Sequence, residues 1–274
     1  MSTTSPGRIR VGVGGWVYEP WRDDFYPPGL AHAQELAYLS ARVTAIEINA
    51  TFYRNQSAAS FARWRDATPD DFVFSVKATR YATNRRVLAE AGEAIERFFA
   101  SGPAELGPKL GPIVWQLAPT KTFDAADVEG FLRLLPDRLG ALRLRHAIEV
   151  RHPSFRSAEY VELTRRHGVE TVFADTDDYP SFADSSADFV YARLMRCEAS
   201  CATGYPPPAI AAWTERARTW SAGAEPDGVA RVTPPLAASA PRDVFLFFIS
   251  GAKERAPAAA VALRAQIEGS SLPR

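Results

Sequence analysis

The chain has 274 residues, with 32 basic and 32 acidic side chains and a formal net charge of zero. That balance argues against the broad electrostatic footprint of non-specific nucleic-acid binding and leaves room only for a local basic patch. Apolar residues at 46% and charged residues at 23% describe an ordinary globular protein, long enough for one barrel domain or two smaller ones.

In chain order, the polar opening 1–7 lacks the apolar core of a signal peptide. Residues 9–13 read as a first strand. An aromatic stretch follows, with Trp16, Tyr18, Trp21, Phe25 and Tyr26 between glycines and prolines, so a long loop is predicted rather than a helix. Leu36, Leu39 and Val43 give helical spacing within 30–43. A strand over 46–49 precedes a helix capped by Ser57, and a strand over 72–77 precedes a helix predicted over 85–99. Strands at 113–116 and 147–152 are each followed by a capped helix, one begun at Asp124 and one at Ser157 and stopped by Gly168. Strands at 172–175 and 189–193, a helix over 209–220 and a strand over 244–250 complete the pattern.

Eight short apolar runs alternate with helices, and no Gly-x-Gly-x-x-Gly turn is present. This favours a closed (β/α)8 TIM barrel in a single domain over an open doubly wound sheet. The barrel is expected over 9–268, after a disordered tail at 1–8. The Ala-, Pro- and Gly-rich stretch 222–241 is expected to pack poorly, as a flexible excursion. No apolar stretch would span a bilayer. Cys197 and Cys201 are too few for a disulfide framework, so a reducing cytoplasm is the expected setting.

Most of the runs end in a charged or strongly polar residue, and a parallel barrel gathers the ends of its strands on one rim, where its chemistry sits. Residues two apart share a face, so Glu47 goes with Asn49, Ser75 with Lys77, Glu149 with Arg151 and Tyr191 with Arg193. If these faces look inward, Glu47, Glu149 and Asp175 meet Lys77, Arg151 and Arg193. Neighbouring charges of that kind displace pKa values and can move protons, and the alternative is a structural salt-bridge network. Lys77 would grip an anion or hydroxyl, or act as a Schiff-base nucleophile. His152 would serve as base or ligand, or anchor its loop. Glu47, Glu149, Asp175 and His152 together would suit Mg²⁺ or Mn²⁺, although no local spacing demands a metal and none is assigned. Trp16 and Tyr53 are the aromatic rings expected at substrate, with Asn49, Gln116, Arg193 and Lys253 as polar binding groups. Trp115 and Phe173 are expected in the core.

Several segments resemble the domain of unknown function family 72, TIM-barrel proteins described as sugar-isomerase-related. They are 12–16, 25–27, Glu47-Ile48-Asn49-Ala50-Thr51-Phe52-Tyr53-Arg54, 72–77, 110–117, Glu149-Val150-Arg151-His152-Pro153-Ser154 and 189–194. The resemblance spans roughly 9–265. It departs at Arg193-Leu194-Met195-Arg196, where the family pattern has Arg-Leu-His-Gly, at Phe248-Ile249-Ser250-Gly251, and in the length of the 222–241 stretch.

The resemblance and the paired carboxylates together imply an isomerase or epimerase acting by proton transfer on a small polyhydroxylated or phosphorylated metabolite. Glu47 or Glu149 would be the base, Lys77 or Arg151 would stabilise the enediolate, and Arg193 would hold an anionic tail. Two alternatives stay open. One is a carboxylate-dependent hydrolase of glycosidic or phosphoester bonds, and the other a protein that binds a sugar, nucleotide or nucleic-acid end without turnover.

Overall fold

The computed structural model describes residues 5–22, 24–237 and 240–269. Its barrel strands are β1 (Ile9–Gly14), β2 (Ala45–Ile48), β3 (Val73–Lys77), β4 (Leu110–Gln116) and β5 (His146–Glu149), then β6 in two pieces (Glu170–Thr171 and Phe173–Asp175), β7 (Phe189–Leu194) and β8 (Asp243–Phe248). Every neighbouring pair is parallel. The first piece of β6 pairs with β5 and the second with β7. Only Val172 separates them, and its N–H donates to the Ile148 carbonyl at 2.9 Å. The nine segments therefore come round as one eight-position barrel, interrupted where β6 changes partner.

The longer helices are α1 (Glu35–Ser40), α2 (Ala58–Asp66), α3 (Gly92–Ala100), α4 (Ala125–Leu134), α5 (Ala158–His167), α6 (Pro207–Ser221) and α7 (Ala256–Glu268). The three expected caps are present. Ser57, Asp124 and Ser157 each accept the N–H three residues on, relieving one of the unpaired donors at a helix start. Gly168 closes α5 at φ 60°. The helix expected over 85–99 begins only at Gly92, because the preceding chain folds into two separate short turns, Arg80–Thr83 and Leu88–Glu90, tied together by the Arg85 side chain, which donates to the Tyr81 and Glu90 carbonyls. Between β6 and β7, residues 176–188 form no helix. The aromatic stretch after β1 is a loop with one 3-10 turn, Glu19–Trp21, and Trp21 and Tyr26 are buried in it.

Strand alternation divides the apolar side chains into two layers. Ala45, Val114, Ala147, Val172, Phe189 and Phe245 lie in the cluster inside the barrel, while Val13, Ile46, Val76, Trp115, Ile148 and Phe173 belong to the outer core that meets the helices. Trp115 and Phe173 are thus core, as expected. β1 and β2 approach so closely that a Cβ on Gly12 would fall 1.8 Å from the Ala45 carbonyl oxygen.

Over 223–233 the expectation that 222–241 packs poorly is corrected, while 234–237 are exposed and 238–239 lie outside the described residues. Asp184 accepts N–H groups from Val232 and Thr233, Ala183 donates to the Ala230 carbonyl, and Glu225 pairs with Arg242 at 2.9 Å, both side chains buried. Composition hid these anchors because they are supplied by 183–184 and by Arg242 just before β8. Of the tail 1–8, residues 1–4 lie outside the described residues. Gly7 and Arg8 are already tied in, through Gly7 N–H to the Ser221 carbonyl and Arg8 N–H to Asp243.

Candidate functional site

The strand ends build the site in one step of the pleat. Inward-facing Ser75 and Tyr191 sit one layer below Lys77 and Arg193, with Glu47 and Glu149 reaching in from β2 and β5. Arg193 lies at the centre and bridges the barrel. Its guanidinium donates to Glu47 at 3.0 Å, to Glu149, and to the Gln116 side-chain oxygen at 3.2 Å. Arg151 continues the chain, donating to Glu149 at 2.6 Å and to the same Gln116 oxygen at 2.8 Å. From below, the Tyr191 hydroxyl donates to Glu47 at 2.6 Å and lies 2.7 Å from the Ser75 hydroxyl.

Neither Glu47 nor Glu149 has any exposed surface. Burial works against ionisation of Glu149, but Arg193, Arg151 and Lys77 outweigh it and hold the carboxyl below its usual range. Burial likewise opposes the charge on Arg193, and Glu149 and Glu47 more than restore it. The tyrosine hydroxyl of Tyr191 is pushed well above its usual value by burial and by Glu47, so it stays a donor.

Over this floor opens a cleft of about 650 Å³, walled by side chains that include Asn49, Tyr53, Lys77, Gln116, Arg151 and Lys253. Two cleft cations escape the pairing among the described residues, Lys253 on the wall and, on the floor, Lys77. The Lys77 ammonium lies 4.2 Å from the centre of the Phe52 ring and has no hydrogen bond or ion pair among the described residues. Burial first, then Arg193, brings its pKa down to about 8, with Glu47 and Glu149 pulling the other way. Lys253, on the far wall, is lowered by burial and lies 4.5 Å from the centre of the Tyr18 ring. Gly251 also lines the cleft at φ 81°, and a Cβ there would fall 2.5 Å from the Cys197 carbonyl oxygen, so the loops after β7 and β8 can close up only around a glycine.

Of the residues expected at the site, Glu47, Lys77, Gln116, Glu149, Arg151 and Arg193 come together, with Asn49, Tyr53 and Lys253 on the cleft wall. Three do not join them. In register, Arg193 neighbours Ala174, so Asp175 shares the outward side of Leu194 and is taken by Arg196 at 3.0 Å and Tyr205 at 2.9 Å. His152 anchors its loop, its Nδ1 2.8 Å from the Ser154 hydroxyl. Trp16 stands edge-on to Trp64 at 5.1 Å and to Phe74 at 6.4 Å, outside the cleft lining. The oxygen-rich set proposed for Mg²⁺ or Mn²⁺ is thereby dispersed, and among the described residues no three His, Cys, Asp or Glu side chains group to hold a metal. Tyr191 was missed as a site residue although parity with Arg193 signalled it. Phe52, Tyr179 and Met195 also line the cleft, and being placed by short helical or loop segments they carried no periodic signal.

UPF0759 protein YunF of Bacillus subtilis is 28% identical over 161 residues, 57% of this chain and 55% of YunF. The chain spans about half the length of the curated relatives it matches. Among solved structures, a DUF72 family protein of Thermotoga maritima superposes with a TM-score of 0.71 at 23% identity, covering 95% of this chain and 99% of that one. A xylose isomerase-like TIM barrel/4-hydroxyphenylpyruvate dioxygenase fusion protein gives a TM-score of 0.50 at 16% identity, over 96% of this chain and 43% of that one. These structural likenesses show the fold. No helix among the described residues is long and apolar enough to cross a membrane. Residues 10–273 match the family described as "Protein of unknown function DUF72", and the chain belongs to it.

Proposed function

We propose that this protein is an enzyme that moves a proton on a small, polyhydroxylated, anionic metabolite, an isomerase or epimerase of sugar type, with Lys77 as the group that takes and returns the proton. The observation that carries this reading is the unpaired Lys77 side chain on the floor of a cleft whose other central charges are compensated. With a pKa of about 8, a sizeable fraction of the molecules holds a neutral amine near neutral pH, the condition for a lysine base. The amine would remove a proton from the hydroxyl-bearing carbon beside a carbonyl and return it to the former carbonyl carbon, while the hydroxyl proton of the first carbon passes to the old carbonyl oxygen. For epimerisation the amine would take the proton from one face and water would return one to the other.

The carboxylates leave that role. Buried under a shared guanidinium, Glu47 and Glu149 fix Arg193 and Arg151 and so hold positive charge beneath the developing enediolate. The hydrolase alternative, which needs two carboxylates at substrate, loses support on the same ground. Arg193 has three of its five N–H donors taken by Glu47, Glu149 and Gln116 and its charge shared by two carboxylates, so the anionic tail passes to Lys253 and the backbone at 250–251, with the buried Arg193 Nε left without a partner. Asn49 and Gln116 offer hydrogen bonds to hydroxyls. The xylose isomerase-like neighbour supports the sugar class, and two unpaired cysteines fit a cytoplasmic setting.

The test is deuterium exchange from heavy water, followed by NMR on a panel of triose, pentose and hexose phosphates. Wild type should exchange the hydrogen beside the carbonyl of one member, with kcat/KM rising with pH through an inflection near 8. Lys77→Met should abolish exchange. Exchange that survives in the variant, or none with any sugar phosphate, overturns the reading.

A further inference from the structure

The rim around the cleft is electrically divided. In the loops following β6, β7, β8 and β1 the arginines have acidic partners. Arg196 is held by Asp175 and Asp177, Arg255 by Asp24 at 3.8 Å, and Arg22 by Glu19 and Glu35. The loops following β2, β3 and β5 are different. Arg54, Arg80, Arg86 and Arg156 are all exposed, and none has an ion pair or a side-chain hydrogen bond among the described residues. β2, β3, β4 and β5 are consecutive in the sheet, so these loops lie along one side of the rim as an arc, with the loop after β4, whose Lys121 is paired with Asp127, between the last two.

Two features make the arc more than a solvated basic surface. Tyr53 and Tyr81 are each 62% exposed, and the Arg80 guanidinium carbon stands between them, 5.9 Å from the centre of one ring and 5.7 Å from the other. Beside them is a second cleft, about 540 Å³, lined by Asn84, Arg85, Arg86, Thr120, Lys121 and Thr122 and by no acidic side chain. Arg85 is set in place there by bonds to the Tyr81 and Glu90 carbonyls at 2.8 and 3.1 Å.

Unpaired guanidinia at intervals call for an anion that repeats, and exposed rings among them call for flat faces to stack on. A single metabolite would occupy only the central cleft. A nucleic-acid strand with its bases unpaired supplies both a phosphate at every step and a free base face. A duplex hides those faces, and an acidic peptide has no regular ring to offer. We propose that this arc binds single-stranded nucleic acid, its phosphates on Arg54, Arg80, Arg86 and Arg156, its bases on Tyr53 and Tyr81, and one end of the strand directed into the cleft. The zero net charge agrees with a local patch rather than a whole-surface footprint. This goes beyond the reading of Lys77 and does not need it.

The experiment is fluorescence anisotropy with a labelled twelve-nucleotide oligothymidine, the matched oligouridine, and the corresponding duplex, between 50 and 200 mM salt. Wild type should bind a single strand at least roughly tenfold more tightly than the duplex. Removing two phosphate contacts in Arg80→Ala/Arg86→Ala should weaken binding roughly tenfold and flatten the salt dependence by about 1.4 in slope. Tyr81→Ala should weaken it roughly tenfold with the slope unchanged, because stacking releases no counterions. Arg133→Ala, which removes an exposed charge of α4 paired with Glu129, should change nothing. The substituted rim side chains are exposed, and circular dichroism would confirm that the variants fold. Preference for the uridine strand would mark RNA through its 2′-hydroxyl. No binding at 50 mM salt, equal loss in Arg133→Ala, or equal duplex affinity untouched by Tyr81→Ala overturns the proposal. Binding retained by Lys77→Met supports it independently of exchange chemistry. Exchange on sugar phosphates by a protein that binds no strand removes this inference and leaves the cleft reading intact.

Discussion

The two ends of the barrel are both crowded with charge, and they handle it differently. At the start of the strands a cleft of about 420 Å³ is lined by Arg8, Arg10, Asp70, Asp71, Arg145 and Asp243, among others. Most of the charges there are matched in pairs, Arg145 to Asp243 at 2.7 Å, Arg143 to Asp188 at 3.0 Å and Arg10 to Asp71 at 3.6 Å, and the two that have no ion pair among the described residues, Arg8 and Asp70, are exposed to solvent. At the strand ends the matching is equally tight around Arg193, but Lys77 on the cleft floor is left over. Charge density alone would not have distinguished the ends. A cation without a partner, partly desolvated and open to a cleft, does, because its free energy falls when an anionic ligand arrives.

The largest expected effect sits on that lysine and has two signs. In Lys77→Met, exchange activity should drop by roughly 10²–10⁴-fold, the usual worth of a positioned base. Stability should move the other way. The folded pKa of about 8 lies below the ordinary 10.5, so at lower pH the fold carries a charge it disfavours, at about 1.4 kcal/mol per unit. Urea titrations at pH 7 should find the variant more stable by up to about 3 kcal/mol. The gain should fade between pH 8 and 10.5, as the wild-type fold sheds a proton that its unfolded chain still holds. A variant less stable than wild type at pH 7 would mean that Lys77 has a partner after all.

Arg193→Met sharpens the comparison from the paired side. It leaves Glu47 with only the Tyr191 hydroxyl and Glu149 with only Arg151, so the loss should be about 3–5 kcal/mol. A triple variant that also carries Glu47→Gln and Glu149→Gln should recover much of it, since the cost lies in stranded charges rather than in lost attraction. Failure to recover would make packing, not charge, the role of Arg193.

How much of this was legible beforehand follows from what each signal needs. The alternation of strands and helices, and the caps at Ser57, Asp124 and Ser157, are local properties and were read correctly. So was the shared face of Tyr191 with Arg193 and of Glu149 with Arg151, because parity within one strand is fixed by the pleat. Asp175 failed for a reason parity cannot supply. Which face of β6 looks inward depends on its register with β7, a non-local fact, and Ala174 rather than Asp175 stands beside Arg193. Burial was equally out of reach. Nothing in the segment around Glu47 says that its carboxylate lies beneath a guanidinium from a strand 146 positions away. The free arc of arginines was invisible for the same reason, since a lack of partners is a property of three dimensions.

A third variant probes a buried carboxyl at the opposite end from Lys77. Glu170 begins β6 and accepts the N–H groups of Ser186 and Ala187, each at 3.0 Å. Burial raises its pKa from 4.5 to about 8 against the pull of those N–H groups and Arg242. The folded form therefore keeps a proton that the unfolded chain loses. The stability this proton contributes is present below pH 4.5 and is lost as pH rises through 8. Glu170→Gln retains the acceptor and removes the titration, so it should overtake wild type progressively between pH 5 and 9, by a few degrees in Tm. Parallel pH profiles for the two proteins would rule out Glu170 as the titrating group.

The smallest effect is expected where charge is densest and best matched. Arg145 is partly exposed, paired with Asp243 and more distantly with Asp188. Its removal in Arg145→Ala should cost no more than about 1 kcal/mol and less in high salt. Asp243 keeps the Arg8 N–H in the variant, and Arg10 nearby. Burial opposes the charge on Asp243, but the hydrogen bond from Arg145, aided by those neighbours, draws its pKa below 3.8. Stability from that shift is present above pH 3.8 and lost as pH falls, so the deficit of the variant should narrow on the acid side. Exchange activity and strand binding should both be unchanged. If either fell with Arg145, the lower cleft would have to be more than a matched set of ion pairs, and pairing would no longer separate the two ends of this barrel.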